Sequence, residues 1–110
     1  MRDGVGILIY KRRASAHMLA AIIAAIDKVA GLKRFEHATS DVHRHPHSVR
    51  APCYCLELAF EVEKDFELSA LAKELRALGL DVTGPYSHHV VGPCVEVRGG
   101  FFIYRLGFAI

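Results

Sequence analysis

Hydrophobic and polar positions follow two rhythms along the chain. Residues 53–63 alternate. Tyr54, Leu56, Leu58, Phe60 and Val62 fall on one side, and Cys53, Cys55, Glu57, Ala59, Glu61 and Glu63 on the other. That period of two predicts a strand with one covered and one polar face, as in an antiparallel sheet packed on one side by helices. Between residues 14 and 30 the period changes. Leu19, Ile22, Ile23, Ile26, Val29 and Ala30 recur at helical spacing behind Ser15, a candidate N-cap. Gly31 follows and can take the positive φ of a helix exit. A second helical stripe runs through Leu68, Leu71, Ala72, Leu75 and Leu78, with Asp65 as candidate cap and Gly79 as stop.

Shorter runs fill the gaps. Residues 5–10 form an aliphatic run that reads as a buried strand, and residues 32–39 as another. Residues 41–52 are polar, hold Pro46 and Pro52, and read as a loop. The two helices each end in Gly-Leu, at Gly31-Leu32 and Gly79-Leu80, followed by strand-like residues and a His, at His37 and His88. Two such units in tandem predict a βαββαβ ferredoxin-like α+β sandwich, an antiparallel sheet with both helices on one face. Gly99-Gly100, between Val95/Val97 and the apolar residues 101–108, adds a C-terminal β-hairpin extension. An apolar strand at the end of so small a domain needs cover, so a homodimer or higher homo-oligomer is expected.

At 110 residues, the chain has the length of a single domain over 1–110. Folding a chain of this size buries about two-thirds of its unfolded surface, enough for a core without staples. The 52% apolar share excludes a disordered chain. The charge of +2 announces neither a nucleic-acid nor a membrane partner, although residues 1–34 lean basic and residues 57–76 acidic. Lys11-Arg12-Arg13 before the apolar stretch 14–26 imitates a secretory leader. However, the strand-like residues 5–10 lie upstream, and His17 and Asp27 belong to an amphipathic helix. Three Cys cannot all pair internally, so a reduced, cytoplasmic setting is expected.

The unusual counts are seven His and three Cys. Six of the His and all the Cys lie between His37 and Cys94, most densely in His43-Arg44-His45-Pro46-His47 and Cys53-Tyr54-Cys55. In extended chain, His43 and His45 share a face, as do Cys53 and Cys55. Imidazole and thiolate together suit a transition metal. The plain alternative is a solvated His/Pro loop beside small buried thiols. His88-His89 and Cys94 form a sparser group, read as a loop with a buried Cys.

Here the chain resembles the metal-binding domain of nickel-responsive repressors, an ACT-like βαββαβ fold. That family carries His-x-His on its second strand and Cys-Leu-Glu at the start of its third. His43 and His45 match the former, and Cys55-Leu56-Glu57 the latter. The resemblance implies a metal- or ligand-binding regulatory domain, with nickel or zinc ahead of iron, held by His43, His45 and Cys55. It also implies a fourth ligand, a His near the end of the first helix of a partner subunit. This chain has Asp27-Lys28 there, so His37, His47 or Cys53 would complete the set. No ribbon-helix-helix pattern is present, so the likeness is to the sensor domain alone.

The runner-up reading is a small metal-dependent enzyme. His45-Pro46-His47 is similar to the His-Pro loops of DOPA extradiol dioxygenases. Phe35-Glu36-His37 with His43-Arg44-His45 resembles part of the zinc site of pterin synthases. A metal-free assembly or RNA-binding module ranks third, because Glu57, Glu61 and Glu63 on the open face repel phosphate.

Overall fold

A computed structural model describes residues 2–40, 56–89 and 91–108. Six strands and two helices follow one another as β1 (Arg2–Ile9), α1 (Ala16–Ala30), β2 (Leu32–Ser40), β3 (Leu56–Val62), α2 (Leu68–Ala77), β4 (Val82–His88), β5 (Gly92–Val97) and β6 (Phe101–Phe108). The fold is α+β. All six strands form one open sheet in the order β2-β3-β1-β6-β5-β4, with every neighbour antiparallel.

The helices form for the reasons their sequences suggest. The Ser15 side chain accepts from Met18 N at 3.2 Å, and Ile22, Ala25, Ile26 and Ala30 turn inward. Gly31 takes φ 70°, donates to Asp27 O at 2.8 Å and turns the chain into β2. In α2, Leu68, Leu71, Ala72 and Leu75 are buried. Two details depart from expectation. The N-cap is Glu67, with no side-chain capping bond, because Asp65 is engaged by Phe66 N and Arg105. Leu78 is 51% exposed, since it stands at the C-cap, beyond the last turn that reaches the sheet.

The strand order corrects the ferredoxin-like expectation. β2-β3-β1 follows that plan, but the strand after α2 does not return to lie beside β1. β6 takes that place instead, and β4 is displaced to the far edge. The expected hairpin extension, β5 and β6 around Gly99 (φ 124°) and Gly100 (φ 111°), is therefore built into the sheet, with β6 central and β5 between β6 and β4. β6 pairs with β1 along its whole length, from Arg2 opposite Phe108 to Ile9 opposite Phe101. Its apolar run finds its cover inside the chain.

Both helices lie on one face. Val5, Ile7, Ile9, Val95, Val97, Phe101 and Ile103 meet Ile22, Ile26, Leu71 and Leu75 there. Leu56, Leu58, Phe60 and Val62 of β3 also face this core, as their alternation requires. The helix-free face carries a second cluster: Leu8, Cys94, Phe102 and Tyr104, flanked by Tyr10, Tyr86, Val91 and Leu106. β1 and β6 are thus covered on both sides, which explains their nearly continuous apolar sequence. Among the described residues, no helix is long and apolar enough to cross a membrane.

Candidate functional site

Of the expected metal ligands, His43, His45, His47, Cys53 and Cys55 lie outside the described residues. His37 is described. It stands exposed on β2 opposite Ala59, on the helix-free face. β2 and β3 are antiparallel neighbours that meet at Ser40 opposite Leu56. The 41–55 connection therefore begins and ends at one place on the sheet. Among the described residues, no group of three or more His, Cys, Asp or Glu side chains is arranged to hold a metal ion.

The position that carries the partner-donated His in the nickel-repressor likeness has another task here. Asp27 Oδ1 accepts from Leu32 N at 2.9 Å and fixes the exit from α1. Lys28 pairs with Glu74 at 2.7 Å, tying α1 to α2. His88 and Cys94 correct a second expectation, because they lie in strands and not in a loop. His88 ends β4 opposite Gly92, and Cys94 lies in β5 opposite Tyr86 and Tyr104. The bulge in β4 between Thr83 and Tyr86 lets a segment with Gly84-Pro85 remain in the sheet. Cys94 is fully buried, and that burial pushes its thiol pKa up.

The helix-free face holds groups not singled out in the sequence. The two oxygens of Glu96 each accept a phenol, from Tyr10 at 2.9 Å and Tyr86 at 3.0 Å. Tyr104 hydrogen-bonds Glu57. Rings line up across the strands. Tyr10 and Phe102 centroids lie 4.8 Å apart, Phe102 and His88 4.6 Å, and His88 and His89 4.3 Å. The one sequence signal is the apolar character of the even positions in β6, Phe102, Tyr104, Leu106 and Phe108, which a solvated face does not explain. Glu61 also departs from expectation. It is buried, between Arg34 at 3.2 Å and Lys33 at 3.9 Å, on the face expected to be open and polar.

These phenols make a pH prediction. Burial, then the Glu96 hydrogen bond, pushes Tyr10 up to about 12, and the same two causes raise Tyr86. Tyr104 is raised by burial and by Glu57. A raised folded pKa favours the protonated fold, so this stability is complete below the unfolded value near 10 and is lost as pH rises through the folded value. Spectrophotometric titration should show these three phenols resisting ionisation at pH 10–11, then ionising together as the chain unfolds. Ordinary titration near pH 10 with the fold intact would contradict the placement.

Recesses also mark the surface formed by the described residues. One of about 540 Å³ opens at the start of α2, where Asp3, Glu67 and Arg105 face Pro85, Pro93 and Leu106. A smaller one of about 230 Å³ lies between the β1–α1 connection and Leu56, with Lys11, Arg12 and Ser15 at its rim. Comparison with family models, curated proteins and solved structures found no match to this chain.

Proposed function

We propose that this chain is a small regulatory domain that binds a transition metal, or a comparable small ligand, through imidazole and thiol groups carried between β2 and β3. His43, His45 and Cys55 are the assigned ligands, with Cys53, His37 and His47 able to complete the set. Nickel or zinc suits this mixture of nitrogen and sulfur donors better than a hard cation does.

One observation carries the reading. Ser40 pairs with Leu56, so three His and two Cys are strung on a fifteen-residue connection whose ends are held together by the sheet. His37, three residues before the strand end, stands near the same edge.

The test is metal content by mass spectrometry on protein purified without a histidine tag. Wild type should hold close to one metal per chain, and a His43→Ala/His45→Ala/Cys55→Ala variant should lose it. A wild type that stays metal-free after incubation with Ni²⁺, Zn²⁺ or Fe²⁺ would remove the proposal.

A further inference from the structure

We propose that β2 is a self-pairing edge, through which two copies of this chain join their sheets in a two-fold symmetric dimer. The proposal rests on the described strand and not on the metal reading. Among the described residues, the six-stranded sheet has two edges with no neighbouring strand, β2 and β4. β4 is poorly suited to pairing. Pro85 has no N–H to donate, whereas β2, which like β4 has register shifts, between Leu32 and Arg34 and between Phe35 and His37, keeps an N–H at every residue. With one edge blocked, pairing between copies closes after two instead of running on as a filament.

β2 carries what such a contact needs. Phe35 stands at its middle, 51% exposed, one of two large apolar side chains left open among the described residues. Its ring is already set by an edge-on contact with Phe60, at 5.4 Å between centroids. The flanking charges are of opposite sign, Arg34 before and Glu36 after. An antiparallel pair of β2 strands with its two-fold axis at Phe35 sets Phe35 against Phe35. It also sets each Arg34 against Glu36 of the second copy. An edge guarded against self-association presents like charges to its own image; this one presents complementary charges. Arg34 also holds Glu36 at 3.0 Å and Glu61 at 3.2 Å within the chain, so the dimer would extend an existing network of alternating charge.

Sedimentation velocity across a concentration series, with a chelator present, tests the proposal. Wild type should sediment as a dimer, and Phe35→Lys should raise the dissociation constant at least about tenfold. Phe35 is exposed, so that variant should keep the wild-type circular dichroism. Independently, in a Cys53→Ser/Cys55→Ser background, Phe35→Cys should cross-link across the axis on mild oxidation, while His37→Cys, which faces Lys33 of the other copy, should not. Three results would overturn the proposal: a monomer at every concentration, a dimer indifferent to Phe35→Lys, or a dimer that chelation abolishes. The last would leave assembly to the metal.

Discussion

Phe101→Ala is expected to cost about 3–5 kcal/mol, the usual range for emptying a fully buried phenylalanine site. Phe101 has no exposed surface and sits where β6 meets both neighbours, opposite Ile9 in β1 and Val97 in β5. Its ring enters the helix-side core with Ile7, Val97 and Ile103. A domain of this size is stable by only about 5–15 kcal/mol, so the variant loses a large part of its margin. Urea unfolding reads the effect as a fall in midpoint with little change in slope. The conservative Phe101→Leu should keep most of the stability. A loss below about 1 kcal/mol for Phe101→Ala would be incompatible with β6 at the centre of the sheet.

Gly6→Ala tests the other face. Gly6 pairs with Tyr104, and a Cβ built there would lie 2.5 Å from Cε2 and Cζ of that ring and 2.8 Å from its hydroxyl. No real contact is that short, so the ring must leave its seat, losing its burial and its bond to Glu57. Against this, alanine is better than glycine in a strand by about 0.5–1 kcal/mol. The net expectation is a loss of about 1–3 kcal/mol. The decisive measurement is the same substitution in a Tyr104→Ala background, where nothing occupies the space. There Gly6→Ala should be neutral or stabilising. If it cost as much as in the wild type, the steric account would be wrong.

The sequence made local structure legible and left partner choice obscure. α1 and β3 are readable because each imposes its own period, 3.6 on Ile22/Ile26/Ala30 and 2 on Leu56/Leu58/Phe60/Val62. The place of β6 is not readable that way. Val97, Phe101 and Ile103 would look the same in a hairpin at the rim, and Ile9 and Ile7, the β1 partners of Phe101 and Ile103, lie near the opposite end of the chain. The repeated Gly-Leu helix ends suggested two equivalent units, yet α2 is followed by three strands in meander. Of the candidate ligands only His37 falls among the described residues. The Tyr10–Glu96–Tyr86 arrangement is invisible to motif reading because its members come from three distant places, just after β1, in β5 and in β4.

The pairing of β1 with β6 also orders events in time. As the chain leaves the ribosome, β1, α1, β2, β3 and α2 are all out before the strand that completes the middle of the sheet exists. Until residues 101–108 emerge, Ile7 and Leu8 border an unfilled lane, and half of the sheet has no neighbour. Folding by such distant contacts proceeds on the order of milliseconds to seconds, far slower than the rapid closure of local helical pairs. For the whole of that interval the nascent chain presents a long apolar edge. That edge is the place where a stalled or truncated chain would aggregate.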